Sequence, residues 1–441
     1  RPAGNHGRVF PGRKHLLMSK SLKLLFFFVP YLLHAAPLRY QPAPVENPLK
    51  GLVPYASTWK KEEKFPHSME FQYFAMGELM KGWGQYDWRV LEGALEKAKA
   101  GGRQLIFRIY LEYPGKADVL PGFLLQEGIK VTRWAEESGK QVVTPDYESE
   151  MVRRAIRDFI GALGKKYDGD PRVGFITAGI LGLWGEWHNY PREDLEASKE
   201  VQLEVLQAFE KAFPKTRVLL RYPAGGNDGN YADNRKARFG YHDDSFAWAT
   251  VPREGKGDEW FFVPRMERAG LLQKWKSHPI GGEIRPEIWP TVFTGNRKSR
   301  QQDFRKCVNA THVSWLMDSG MFSDDFPQNE ERRKRASEEV SRMGYELHLS
   351  AVEFRNGEVK ITVENRGVAP FYYDWPVKLR AGEVVETGWK LSKVLPGEPV
   401  VWRAKIPDGG EVAIQVPNPM EGGRDLKFAN QGYQDGWLQL R

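Results

Sequence analysis

Cysteine is nearly missing: Cys307 is the only one in 441 residues. An intrachain disulfide is therefore excluded, and stability must come from a large apolar core. No His pattern surrounds Cys307, so it reads as a small buried residue rather than a nucleophile. A bilayer-spanning run is not found either. The apolar stretch at residues 24–33 has about ten residues, against the roughly 20 that a spanning helix needs. No Gly-rich phosphate turn follows the first predicted strand, and Gly225-Gly226-Asn227-Asp228-Gly229 lacks phosphate-loop spacing, so no nucleotide or other cofactor is expected. Repeats and low-complexity tracts are absent. Acidic residues are missing from residues 1–36, where Arg1, Arg8, Arg13, Lys14, Lys20 and Lys23 carry six of the eight net positive charges. The rest is close to neutral, and Arg332-Arg333-Lys334-Arg335 lies among Glu330, Glu331, Glu338 and Glu339 as a solvated helix face. No basic patch is left to support a nucleic-acid partner.

What is present begins with an export pattern. Met18 is the first methionine; Lys20 and Lys23 precede the apolar run, and His34-Ala35-Ala36 offers small residues for cleavage. That order is a secretory signal, with residues 1–17 upstream of the start, and it implies a secreted or periplasmic bacterial protein with no membrane span after cleavage. Residues 37–46 read as a Pro-rich linker.

From residue 47 to 343, eight short apolar or β-branched runs alternate with helical patterns. The strands are predicted at 51–55, 69–76, 104–110, 173–183, 217–221, 239–243, 280–284 and 312–317. Helices are predicted at 87–100 (opened by an Asp87 cap), 149–167, 194–213, 271–276 and 330–343. Eight strand–helix alternations predict an α/β fold, a (β/α)8 TIM barrel. Residues 344–441 lose the helical pattern. Two strands joined by Asn356-Gly357, then runs near 377–380, 400–405, 411–416 and 426–429, predict a small all-β sandwich.

In a parallel barrel the chemistry collects at the C-terminal ends of the strands. The fourth ends Leu183-Trp184-Gly185-Glu186-Trp187-His188 and the seventh Gly281-Gly282-Glu283-Ile284-Arg285-Pro286-Glu287. Two facing carboxylates are what glycosidic cleavage needs, one protonated and one ionised. Burial against Trp184 or Trp187 is expected to raise Glu186, making it the acid/base, while Arg285 keeps Glu283 ionised as the nucleophile. The alternative for each Glu is a structural ion pair. Arg108, Tyr110 and Glu112 on strand three, Arg221 on strand five, His242 and Asp243 on strand six, and Trp184, Trp187, His188, Arg285, Glu287 and Trp315 make up the candidate substrate-binding set, and Asp244 at the same strand end also points toward the mouth. Trp59, Trp83 and Trp289 are candidate stacking platforms; Trp375, Trp389, Trp402 and Trp437 are read as sandwich packing or a sugar-binding face.

Glutamates after strands four and seven resemble the clan of (β/α)8 retaining glycoside hydrolases. More narrowly, Asn47-Pro48-Leu49-Lys50-Gly51, Arg108-Ile109-Tyr110-Leu111-Glu112-Tyr113-Pro114, Gly185-Glu186-Trp187 and Leu426-Lys427-Phe428-Ala429-Asn430 resemble a bacterial family of glycosidase-like barrels with an appended β-sandwich, known as a domain of unknown function. The resemblance covers nearly all of residues 47–441 and implies a carbohydrate substrate. It departs at one point: clan members carry Asn before the strand-four Glu, where it contacts the sugar 2-hydroxyl, and here that residue is Gly185. A non-catalytic carbohydrate-binding barrel and a metal-dependent polysaccharide deacetylase centred on His242 stand as rivals, although no spaced His pair completes a metal site. Sugar, linkage and oligomeric state are left open.

Overall fold

The computed structural model describes residues 38–56, 65–254, 258–326 and 328–441. The export signal and Trp59 lie outside these ranges. No helix among the described residues is long and apolar enough to cross a membrane.

All eight predicted barrel strands form: β1 (Gly51–Val53), β2 (Met69–Ala75), β3 (Gln104–Glu112), β4 (Val173–Leu183), β5 (Val218–Leu220), β6 (Gly240–Phe246), β7 (Ile280–Ile284) and β8 (Trp315–Met317). β3 and β4 are buried along their whole length, as strands covered on both faces must be. The strands pair in parallel in the order β1–β8–β7–β6–β5–β4–β3–β2. A Tyr55–Phe71 bridge joins the ends, with the Phe71 amide donating to Pro54 at 2.9 Å and the Ala56 amide to Phe71 at 2.8 Å.

Six helices pack around the strands: α1 (Arg89–Ala100), α2 (Glu150–Tyr167), α3 (Lys199–Ala212), α4 (Phe262–Arg268), α5 (Phe304–Thr311) and α6 (Glu330–Arg342). α2 buries Val152, Ile156, Phe159, Leu163 and Tyr167 in a stripe spaced by three and four, the reason its pattern was legible. α1 starts one residue past Trp88, not at Asp87, whose carboxylate instead takes the Arg89 amide. The helix expected at 271–276 shrinks to a 3-10 turn, Lys274–Lys276, and α4 carries the slot. Pro264 disguised α4, yet it lies in the first turn, where its missing N–H costs nothing.

The remainder is antiparallel. β9 (Leu347–Arg355), β10 (Glu358–Asn365) and β13 (Val400–Lys405) make one sheet; β11 (Lys378–Ala381), β12 (Glu383–Glu386), β14 (Val412–Gln415), β15 (Tyr433–Gln434) and β16 (Trp437–Gln439) make the other. Asn356 and Gly357 both take positive φ, 51° and 69°, as a two-residue hairpin turn requires. The strand expected at 426–429 contributes a single bridge to Val416. Its residues dock instead: the Asn47 side chain both donates to and accepts from the Lys427 backbone at 2.9 Å, and Asn430 does the same with Leu349. Trp375 and Trp402 are buried, and Trp389 stacks on Trp402 at 5.0 Å, so these rings pack the sandwich.

One apolar cluster runs from the barrel interior (Val53, Phe71, Ile106, Phe175, Leu219, Trp315) into the sandwich (Phe371, Val359, Ile361, Leu379, Ile414). Tyr373 joins the two, accepting from the Arg217 amide at 3.0 Å and donating to the Gly174 carbonyl at 2.7 Å at the starts of β5 and β4. The sandwich therefore stops the N-terminal end of the barrel, and the C-terminal end is left open. Trp315 fills the barrel axis, stacked on Phe175 at 5.9 Å, and it fits because residue 281 has no side chain: a Cβ there would lie 2.4 Å from the indole. Gly281→Ala is expected to cost about 1–3 kcal/mol through overpacking, read as a lower midpoint in urea; an unchanged midpoint would contradict this packing.

Candidate active site

Above Trp315 the barrel interior changes from apolar to charged. Register sets Tyr73 of β2 beside Arg108 of β3, and Arg108 beside Thr177 of β4; across the barrel, Glu283 of β7 lies beside Met317 of β8. On β6 the period of two sends His242 and Asp244 inward and Asp243 outward.

The end of β4 is bent back by bulges. Between the pairs Arg108–Thr177 and Glu112–Leu183 it gains two residues on β3. Ile180, Trp184 and Trp187 take φ of 76°, 55° and 64°, and Gly182 and Gly185 follow at 74° and 72°. Positive φ in a β-branched residue and two tryptophans is strained backbone, clustered where function concentrates. Hydrogen bonds hold the turn: Glu186 N–H to Leu183 at 2.8 Å, Trp187 N–H to Leu181 at 2.8 Å and Leu183 N–H to His188 at 2.9 Å. A Cβ at position 185 would lie 2.8 Å from the Ile109 carbonyl, so the asparagine of the resembling clan cannot be accommodated there.

This turn delivers Glu186 between two arginines and a histidine. Its carboxylate lies 3.4 Å from Arg108, 3.2 Å from Arg221 and 3.4 Å from His188. Arg108 also reaches Asp244 at 3.0 Å, Thr177 at 3.0 Å and the Tyr73 hydroxyl at 3.4 Å, and Arg221 contacts the other Asp244 oxygen. Oxygens of Glu186, Asp244 and Glu283 all lie within 4.8 Å of one another. Three ionised carboxylates that close repel by roughly 3 kcal/mol per pair at an effective dielectric of about 20. Two arginines balance two of them. Among the described residues Glu283 has no hydrogen bond or ion pair of its own.

The charges settle accordingly. Burial and Asp244 push Glu283 well above the usual carboxylate range, with Glu186 adding to them. Burial and Asp244 also push Glu186 up, but Arg221, His188 and Arg108 together leave it below its ordinary value. Burial opposes the charge on Asp244, yet Arg108, His242 and Arg221 hold it well below. Burial lowers His242, which stays neutral beneath the carboxylates with Nδ1 2.8 Å from Asp244. The directions run opposite to the expectation: Glu186 is held down, because it meets arginines rather than apolar tryptophan faces, and Glu283 is pushed up. Arg285 does not serve Glu283; it turns to the surface and pairs with Glu287 at 2.7 Å.

Of the other expected residues, His188, Arg221 and Trp184 line the opening, Arg108 lies beneath it, and Tyr110 forms its covered wall, its hydroxyl taking Lys116 at 3.1 Å. Four expectations are corrected. Trp187 points back into the strand, donating to Ala178 at 2.8 Å, and Trp315 is barrel core. Asp243 faces the helical layer, accepting from Thr250 at 2.6 Å and the Ser245 amide at 3.0 Å. Glu112 is fully buried and ties Thr144, Tyr147 (2.6 Å) and Asn189 (2.7 Å) beneath the β4 turn. Trp83 and Trp289 are committed to Glu127 and the Ile284 carbonyl. Tyr55, Tyr73 and Tyr113, which interact electrostatically with Glu283, went unread because a tyrosine in a β run looks like core. Asp244 carried a usable signal, the two-residue period shared with His242. Among the described residues no His242-centred metal site is assembled: the acidic group close enough to hold a cation contains no histidine, and two guanidinium groups face its carboxylates.

No family model matches the chain, and no curated protein matches it. Among solved structures it is similar to endo-glycoceramidase II from Rhodococcus sp. (10% identity over 85% of this chain and 98% of that one, TM-score 0.41). The endo-β-1,4-mannanase from Thermotoga petrophila matches at 12% identity over 87% and 97%, TM-score 0.41. A family 39 glycoside hydrolase from Bacteroides cellulosilyticus WH2 matches at 11% over 90% and 79%, TM-score 0.40. Scores of this size decide nothing about activity, which has to be read from the side chains.

Burial pushes Glu112 up to about 7 from 4.5. The folded chain thus holds this proton longer than the unfolded one, so the associated stability is complete at low pH and is lost as pH rises from 4.5 to about 7. Denaturation across this window is expected to show a flatter pH dependence in Glu112→Gln than in the wild type; identical slopes would contradict it.

Proposed function

We propose that this protein is a glycoside hydrolase of the retaining kind, acting on a poly- or oligosaccharide outside the cytoplasm. The observation that carries the reading is two carboxylates in unlike surroundings, Glu186 between arginines that hold it down and Glu283 pushed up by burial and Asp244, with oxygens within 4.8 Å at the open end of a barrel. Retaining pairs stand about 5–5.5 Å apart and inverting pairs about 6.5–9.5 Å. The Glu186 carboxylate attacks the anomeric carbon as the bond to the leaving oxygen breaks, and the Glu283 proton passes to that oxygen. Water then returns its proton to Glu283 while its oxygen displaces Glu186. Arg108 and Arg221 orient Glu186, and the half-buried rings of Tyr113 and Trp184, 6.5 Å apart, offer apolar faces to a sugar.

One observation favours a second reading, a carbohydrate-binding barrel without turnover: position 185 excludes the asparagine that serves the 2-hydroxyl in the clan the sequence resembles. His188, 3.4 Å from Glu186, is the neighbour able to take that hydroxyl.

A panel of polysaccharides and oligosaccharides, scored for new reducing ends and for the anomer first released, separates these. Hydrolysis with retention is expected, with kcat lower by about 10²–10⁴-fold in Glu186→Gln and in Glu283→Gln. Full activity in either variant removes the proposal; binding without turnover by the wild type selects the second reading. The kcat/KM profile is expected to be a bell, falling on the acid side as Glu186 protonates below the ordinary carboxylate range and on the alkaline side as Glu283 ionises above it. A single limb would contradict the assignment.

A further inference from the structure

The reaction written above uses two of the three carboxylates. Asp244 lies within the same 4.8 Å of both, and its side chain is only 2% accessible, against 13% for Glu186, so it is out of a substrate's reach. We propose that Asp244 is a positioning residue whose fixed negative charge makes Glu283 the proton donor and leaves Glu186 as the nucleophile. Its consequence for turnover rests on the glycosidase reading; the location of the proton does not, and can be measured without any substrate.

The geometry argues it through in three steps. Asp244 cannot shed its charge. One oxygen accepts from Arg108 at 3.0 Å and lies 2.8 Å from His242 Nδ1, and the other is in contact with Arg221, so two guanidinium groups face the carboxylate. Next, it engages both arginines. Each of them bridges Asp244 to Glu186, Arg108 at 3.0 and 3.4 Å and Arg221 by direct contact and 3.2 Å. Two positive charges are thereby matched by two negative ones, and neither guanidinium makes an ion pair with Glu283. Finally, the nearest charges acting on Glu283 are negative, Asp244 from β6 and Glu186 from the β4 turn, beside the neutral tyrosines Tyr55 just past β1, Tyr73 of β2 and Tyr113 of the β3 loop; Arg108 and Arg221 act on it too but are paired with the first two carboxylates, and His188 lies against Glu186 and His242 against Asp244. Glu283 is the one member of the trio that can become neutral without breaking an ion pair to a buried arginine.

Asparagine at 244 keeps the shape and an acceptor for Arg108 but removes the charge, which would release both arginines toward the two glutamates. The test is a titration of the full chain with 13C-labelled glutamate carboxyls, the Glu283 signal being assigned by its loss in Glu283→Gln. In the wild type Glu283 is expected to titrate above the ordinary carboxylate range; in Asp244→Asn its midpoint is expected to fall by about one pH unit or more, and Asp244→Glu, which restores the charge, to keep it high. An unchanged midpoint in a folded Asp244→Asn overturns the proposal. If that variant does not fold, as judged by circular dichroism, Glu186→Gln decides. There Asp244 alone should hold Glu283 above the ordinary range, and a fall to the ordinary value overturns the proposal. Where hydrolysis is measurable, the alkaline limb of kcat/KM should move to lower pH by the same shift, whereas a merely structural role would lower the profile without moving it. A shifted titration in a protein without turnover would retire the glycosidase reading and leave this role standing.

Discussion

Two arginines inside the barrel face three carboxylates, and that shortfall of positive charge governs the open end of the molecule. Arg108 and Arg221 each reach Asp244 and Glu186, and Glu283 is left with negative neighbours. In water such a trio would simply stay ionised. Packed within 4.8 Å and largely covered, it has its repulsion relieved most readily by a proton on Glu283, the member in no ion pair, and burial and Asp244 push that carboxyl up. On the proposed reading an acid and a nucleophile arise from identical side chains, separated only by what surrounds them.

The fold makes that environment possible. The sandwich stops one end of the barrel through Tyr373 and the shared apolar cluster, and Trp315 fills the axis beneath the charges, so water reaches the carboxylates from one side. The glycines at 281 and 185 give way to the indole and to the Ile109 carbonyl respectively. The same turn that excludes a side chain at 185 swings Glu186 between the arginines. Strained φ at Ile180, Trp184 and Trp187 is tolerated because Glu112, buried below, ties Thr144, Tyr147 and Asn189 around the turn.

The barrel strands were legible because buried parallel strands are continuous apolar runs, and the Asn356-Gly357 hairpin because few residue pairs accept two positive φ values. Pro264 hides α4, and the run at 426–429 reads as a strand although it docks through Lys427 on Asn47 and through Ala429 on Leu347. At the site, strand ends pointed to Glu186 and Glu283 as a pair. Their charges could not be read, since those depend on Arg108 and Arg221, far away in sequence, while Arg285, adjacent in sequence, turns outward to Glu287. A two-residue period applied strictly along β6 separates Asp244 from Asp243; proximity in sequence alone does not.

The central claim is that a single proton is shared out in a fixed way among these carboxyl groups. A neutron structure of deuterated crystals grown near neutral pH tests it most directly. A deuteron on Glu283, with none on Glu186 or Asp244, is the predicted result. A deuteron on Glu186, or none on any of the three, would contradict it.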